Sequence, residues 1–275
     1  MNAVVSSVAV KPARAEEVLG FFREEFFRVL KSRQAALVIA AVIYSMVALP
    51  FLLAKPHEEV LIALRSWFGE SRLDLRLFLF VWFDLVMNKI CILIGAALAA
   101  GIITDERSKG MLDIFLSKPV SPRRYFLVKL VAAVAVVTVI YLAAMFVGAI
   151  RFSHAVKGFD LGVFLILASV HLLVAVYSVV IAGTMAVFFR HKLTAMLATI
   201  MALSIFVGCA FLGFYDPRFR TPSLLNPFYH AVVLIGSIDS IGLADALRPI
   251  LWLTGFNAVM AMIGARRAAV IGQKD

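Results

Sequence analysis

Three polar side chains inside an apolar stretch are the residues best placed to do chemistry in this chain. Asp84, Asn88 and Lys89 fall within residues 77–104, which are otherwise mainly hydrophobic. Asp84 and Asn88 are one helical turn apart, whereas Lys89 points more than a right angle away from Asp84. A charge inside a bilayer is costly unless it is paired or reaches water, so we expect these side chains to face the protein interior. They would either line a route across the membrane at a subunit interface or tie this helix to its neighbours.

Sequence motifs for catalysis or cofactor binding do not occur. The chain has no Gly-x-x-x-x-Gly-Lys-Ser/Thr phosphate loop, so it cannot bind ATP in that manner. It also lacks His-Glu-x-x-His, Gly-x-Ser-x-Gly and Cys-x-x-Cys, which argues against a protease, a hydrolase or a metal centre. The five histidines occur singly. His171 could hold a proton or a metal, or it could simply bond to a neighbouring helix.

The composition is that of an integral membrane protein. Of the 275 residues, 63% are hydrophobic and 16% are charged, and the mean hydropathy is +0.97. A soluble domain is nearer half apolar and a quarter charged. The formal net charge is +10, but no basic face interleaved with aromatic residues is present, so nucleic acid is not an expected partner. Cys91 and Cys209 both fall in apolar runs, where they are expected to act as small buried hydrophobic residues.

Apolar runs long enough to cross a bilayer recur six times. We predict an all-α integral membrane protein with a single transmembrane domain over residues 1–275. The predicted spans are 35–53, 77–104, 126–150, 161–189, 193–214 and 249–265. Residues 16–33 have an amphipathic pattern typical of a helix at the membrane interface. Residues 215–248 are broken by prolines and contain an apolar run too short to cross, so we expect a re-entrant element there.

Basic residues are distributed unequally between the two sides of these spans. Apart from Lys89, 17 lie on the side that holds both termini and nine lie on the other. Positive charge concentrates in cytoplasmic loops. We therefore place both termini, and the loop at residues 105–125, in the cytoplasm.

This loop has the pattern of a short helix followed by a sharp stop. Leu112, Phe115 and Leu116 are spaced to share one face of a helix over residues 109–117. Pro119 ends that helix because it lacks an amide hydrogen. Ser121, followed by a proline at the first helical position, then predicts the N-cap of the next span.

The same loop resembles the first cytoplasmic loop of ABC-2 type permeases, the membrane subunits of one class of ABC transporter. The shared pattern is acidic-x-x-x-Gly-x-Leu-acidic-x-x-Leu-x-x-Pro-Val-Ser. The residues that carry it are Glu106, Gly110, Leu112, Asp113, Leu116, Pro119, Val120 and Ser121. In that family the loop holds a coupling helix that docks on a separate ATP-hydrolysing subunit. The resemblance therefore implies docking residues at Glu106, Gly110, Leu112, Asp113, Phe115, Leu116 and Pro119.

The resemblance also implies partners and a pathway. The partners would be ABC ATPase subunits, a second permease that is identical or different, and membrane lipid. ATP and Mg²⁺ would bind to the ATPase partner, while this chain would bind no cofactor and would not be an enzyme by itself. The family places its pathway between the second and fifth spans of two permeases, which adds Thr199, Ser204 and Cys209 to the candidates Asp84, Asn88 and Lys89. Export across the plasma membrane is the expected direction.

Two other kinds of membrane protein remain open. An ATP-driven subunit that only transmits force would need a large outer domain, and the outer loops here are small unless a partner supplies one. A secondary transporter or channel would use Asp84, Lys89 and His171 as a proton or ion relay. The two halves of the chain show no similarity to each other, which weakens that second alternative. The sequence does not identify the substrate.

Overall fold

The computed structural model describes residues 15–54, 56–108, 121–210 and 212–271. Every regular element within these ranges is helical, and six helices are long and apolar enough to cross a membrane. The predicted all-α membrane protein with six transmembrane helices is therefore confirmed.

The helices follow one another with short connections. In chain order they are α1 (Ala15–Leu30), α2 (Arg33–Ala54), α3 (Glu58–Phe68), α4 (Leu73–Arg107), α5 (Pro122–Ala155), α6 (Leu161–Phe188), α7 (Lys192–Cys209), α8 (Tyr229–Gly236) and α9 (Leu243–Ile271). Short helical turns at Leu212–Tyr215, Pro217–Phe219 and Arg220–Ser223 connect α7 towards α8. The membrane-surface position of α1 and the re-entrant path of residues 215–248 stay predictions.

Helices α5 and α6 each begin where a side chain caps a free amide group. Ser121 has an extended backbone and its hydroxyl accepts a hydrogen bond from the Arg124 amide at 3.3 Å, with Pro122 at the first helical position. This is the cap that the sequence predicts. Asp160 does the same for α6 by accepting from the Val163 amide at 3.1 Å. Such caps satisfy amides that have no partner within the helix.

The core of the bundle is centred on α6. Helices α4, α5, α7 and α9 pack against it, and most of its residues are buried. Gly95 allows α4 to come very close to α6, because a Cβ at this position would lie 2.4 Å from the carbonyl oxygen of Ser178. Small residues let membrane helices approach in this way. By contrast, less than a third of the apolar stretch of each of α2, α7 and α9 is buried.

The long helix α4 is not regular along its length. It widens into π-helical turns at Phe80–Met87 and again at Gly95–Ala99, with an α-helical segment, Asn88–Ile94, between them. A π-helical turn holds more residues than an α-helical one, so it rotates the residues that follow it. The face that each side chain of α4 occupies therefore departs from simple 3.6-residue spacing.

Candidate functional site

A chain of hydrogen bonds buried inside the bundle joins three helices. On α4, Asn88 Nδ2 donates to Asp84 Oδ1 at 2.9 Å. His171 Nε2 of α6 lies 2.9 Å from Asn88 Oδ1, and the Tyr141 hydroxyl of α5 lies 3.2 Å from His171 Nδ1. The same hydroxyl lies 3.1 Å from the Ala168 carbonyl oxygen. All four side chains of this polar chain are at most 2% exposed.

The direction of these bonds follows from the amide of Asn88. Its nitrogen donates to Asp84 Oδ1, so its carbonyl oxygen faces His171, which must donate to it through Nε2. The Tyr141 hydroxyl has one proton, which is shared between the Ala168 carbonyl oxygen and His171 Nδ1. The polar chain therefore connects α4, α5 and α6 inside the bundle. The expected interior location holds for Asp84 and Asn88.

Lys89 lies on a different side of α4 from this polar chain. It is exposed, and its Nζ donates to the carbonyl oxygen of Leu85 at 2.8 Å. The large angle between Asp84 and Lys89 that the spacing predicts is therefore present. The interior location expected for all three polar residues does not extend to Lys89 within this chain, because the neighbouring helices leave that side of α4 open.

The three candidates from the predicted fifth span differ in their surroundings. Thr199 of α7 is buried, and its hydroxyl donates to the Ala195 carbonyl oxygen of its own helix at 2.7 Å. Ser204 is exposed, as is Cys209 at the end of α7. Helix α7 packs beside the Asn88–Ile94 segment of α4. Ser204 is therefore an open polar position on a helix that adjoins the one carrying Lys89, whereas Thr199 is enclosed.

A cluster of four charges joins α1 to the ends of α4 and α5. Lys129 Nζ donates to Glu106 Oε1 and lies 3.8 Å from Glu25 Oε1. The Tyr125 hydroxyl donates to Glu106 Oε2 at 2.7 Å, and Arg28 donates to Glu25 through Nε at 3.0 Å and Nη2 at 2.6 Å. Two carboxylates and two cations make this charge cluster neutral. The sequence did not predict this cluster, although Tyr125 and Lys129, one helical turn apart at the start of a predicted span, were an indication of polar contacts there.

The predicted docking residues lie next to this cluster in sequence, but most fall outside the described residues. Those outside are Gly110, Leu112, Asp113, Phe115, Leu116 and Pro119. Glu106 is described, and it is the member of the set that the structure buries in the charge cluster. Asp105, beside it, accepts from Lys192 Nζ of α7 at 2.9 Å. The α4 end of the loop is thus bonded directly to α5 and α7, and Lys129 of α5 links it to α1.

The other end of α4 is bonded to two connections between helices. Arg72, just before α4, donates through Nη2 to Asp160 Oδ2 at 2.8 Å, between α5 and α6. This hydrogen bond, together with the Val163 amide, holds the pKa of the Asp160 carboxyl below its usual value. The buried Arg76 donates to Asp239 Oδ2 at 2.8 Å, after α8. No spacing in the sequence indicates these pairs, because their partners lie far apart in the chain.

Among the described residues, no group of three or more histidine, cysteine or acidic side chains could hold a metal ion. A family model described as ABC-2 family transporter protein matches residues 77–266, which cover α4 to α9 and so include the polar chain, Lys89 and α7. In the comparison with curated proteins, none matches the chain.

Proposed function

Since the chain belongs to the ABC-2 transporter family and is a membrane permease, we propose that separate ATP-hydrolysing subunits drive it. These subunits would bind ATP and Mg²⁺, because this chain has no phosphate loop. A second permease, identical or different, would complete the transporter. We place the complex in the plasma membrane with both termini in the cytoplasm, on the bias of basic residues.

The observation that best supports ATP coupling is the way the cytoplasmic end of α4 is held. The loop of residues 109–120 follows α4 directly and leads into α5. Glu106 and Asp105 at its start are bonded to Lys129 and Tyr125 of α5 and to Lys192 of α7. A force applied to the loop would therefore act on three membrane-crossing helices together. This is what a docking site for an ATPase requires.

The proposed transport pathway lies on the open side of α4 next to α7. Lys89 and Ser204 are exposed there, while Thr199 sits behind the surface. A lysine exposed at this depth is costly in lipid, so it needs water, a partner subunit or a substrate beside it. Asp84 and Asn88 would support the pathway from behind by fixing the orientation of α4. Export is the proposed direction, because most members of the family are exporters.

The first test is to purify the tagged chain from its native membrane in mild detergent and identify what accompanies it. We expect a stoichiometric subunit that carries a phosphate loop, with ATP hydrolysis that vanadate inhibits. A chain that purifies without any ATPase would overturn the proposal and direct attention to an ion-coupled carrier.

The second test changes the loop itself. Replacing Leu112, Phe115 and Leu116 together by Ser should release the ATPase and leave the spans folded. A matched control replaces the exposed Leu224 and Leu225, on the predicted outer side, by Ser. The control should retain the ATPase. Undiminished ATPase binding by the triple variant would exclude this loop as the docking site.

A further inference from the structure

One strip of α4 stays open along the predicted membrane core. Over residues 80–99, all of which the structure describes, most side chains are buried on every side. Five are not, and their spacing of three and four residues places them on one face. This open strip consists of Leu85, Val86, Lys89, Ile92 and Leu93, with Lys89 at its centre and the most exposed of the five. The strip is therefore apolar except for one cation.

Lys89 cannot reach either membrane surface from this position. It lies 12 residues after Leu77 and 15 before Thr104, the two ends of the predicted span. At 1.5 Å per residue these separations are about 18 Å and about 22 Å, whereas a lysine side chain extends about 6 Å. Its ammonium group bonds to a backbone carbonyl oxygen, and no carboxylate of the described residues lies within salt-bridge distance. Within the described residues, Lys89 therefore has no salt-bridge partner.

The helices that flank Lys89 offer it no counter-charge. Helices α2 and α7 pack against the Asn88–Ile94 segment, and neither contains an acidic residue. Asp84, the nearest acidic residue in sequence, attracts Lys89 electrostatically, but it is turned inward and bonded to Asn88 rather than paired with the lysine. The exposed residues of α7 are mainly apolar and include Leu197, Met201 and Ile205. A ligand that matches this surface has one negative group and an apolar body.

We propose that Lys89 binds the anionic headgroup of an amphipathic substrate whose apolar tail lies along the open strip and the exposed side of α7. The inference rests on the proposed function, because it takes the open strip as part of the transport pathway. A phosphate or carboxylate would accept hydrogen bonds from the ammonium group, and charge-assisted bonds of this kind are stronger than neutral ones. The apolar side chains above and below Lys89 would accommodate the tail.

The test uses three probes that share a dodecyl tail: dodecyl phosphate, dodecyl maltoside and dodecyltrimethylammonium. The purified full-length transporter in a neutral maltoside detergent is incubated with radiolabelled dodecyl phosphate, and the unlabelled probes compete. We expect dodecyl phosphate to bind about tenfold or more tightly than the neutral and cationic probes. Lys89→Gln should abolish this preference, Lys89→Glu should reverse it towards the cation, and Lys89→Arg should retain it.

The matched control is Lys157→Gln, which removes an exposed lysine from the connection between α5 and α6. It should leave the preference unchanged. An equal preference in wild type and Lys89→Gln would overturn the inference. The inference would also be overturned if Lys89→Gln bound dodecyl phosphate normally but lost a partner permease, because Lys89 would then pair with that partner. Since co-purification of an ATPase is scored separately, failure of the substrate class is distinguishable from failure of the proposed function.

Discussion

Lys129 is the residue whose replacement tests the charge cluster most directly. Its side chain is 1% exposed, and its ammonium group is held between Glu106 and Glu25. Replacing Lys129 by Met keeps the length of the side chain but removes the charge, so Glu106 loses its cation. Removing one member of a buried ion pair costs about 3–5 kcal/mol. We expect the lower end, about 3 kcal/mol, because Glu106 keeps the Tyr125 hydroxyl and Glu25 keeps Arg28.

The measurement is reversible unfolding in mixed micelles of dodecyl maltoside and SDS, followed by far-ultraviolet circular dichroism. A second variant, Lys129→Met with Glu106→Gln, separates loss of the charge from loss of packing. The added change removes the uncompensated carboxylate while its amide oxygen can still accept from Tyr125. The double variant should therefore recover about 2 kcal/mol relative to Lys129→Met alone.

Lys192→Met provides the matched control for this prediction. Lys192 also pairs with a carboxylate, Asp105, but both side chains are about one-third exposed, at 31% and 37%. An exposed pair contributes less than about 1 kcal/mol. The reasoning would be refuted if Lys129→Met were no more destabilising than Lys192→Met, or if the double variant were less stable than the single one.

Two further predictions concern helix packing and the Arg72–Asp160 ion pair. Gly95→Ala should destabilise the fold by about 1–3 kcal/mol in the same unfolding assay, because the new Cβ meets the Ser178 backbone. The control Gly208→Ala should have little effect, because the space around Gly208 is open. Equal losses of stability in the two variants would contradict this prediction. The Arg72–Asp160 pair should stabilise the fold in a pH-dependent way, because the pKa of Asp160 is lower in the folded protein than in the unfolded chain. This stabilisation is present above the unfolded-state pKa of Asp160 and is lost as pH falls through its folded-state pKa. Wild type should therefore exceed Asp160→Asn in melting temperature at pH 7 by a small margin. This margin should disappear as pH falls below the lowered pKa of Asp160, and a margin that grows in acid would refute the reasoning.

The sequence was sufficient for the features that depend on local pattern. Apolar run lengths predict six spans, and Ser121 followed by Pro122 predicts the start of α5; both are confirmed. The spacing of Asp84, Asn88 and Lys89 also predicts correctly that the lysine points away from the other two. These predictions succeed because they depend only on residues within one or two helical turns of each other.

The contacts that the sequence did not predict are those between distant segments. His171 could be placed in a predicted span, but nothing in a single sequence pairs it with Asn88, 83 positions away. Lys129 counted only as one basic residue near the membrane surface, whereas its two carboxylate neighbours come from α1 and α4. The π-helical turns of α4 are a further reason, because they change which neighbour each side chain faces.

The buried polar chain and the exposed Lys89 are mechanically related because they lie on the same segment of α4. If α4 rotated about its own axis to turn Lys89 into the bundle, Asn88 would have to leave His171. That movement would leave buried hydrogen-bonding groups unpaired, at a cost of about 1–3 kcal/mol for each group. Asp84, Asn88 and His171 therefore hold the open strip in place without touching what lies along it. A residue at Asn88 that cannot bond to His171 should weaken the orientation of Lys89, even though the two side chains point in different directions.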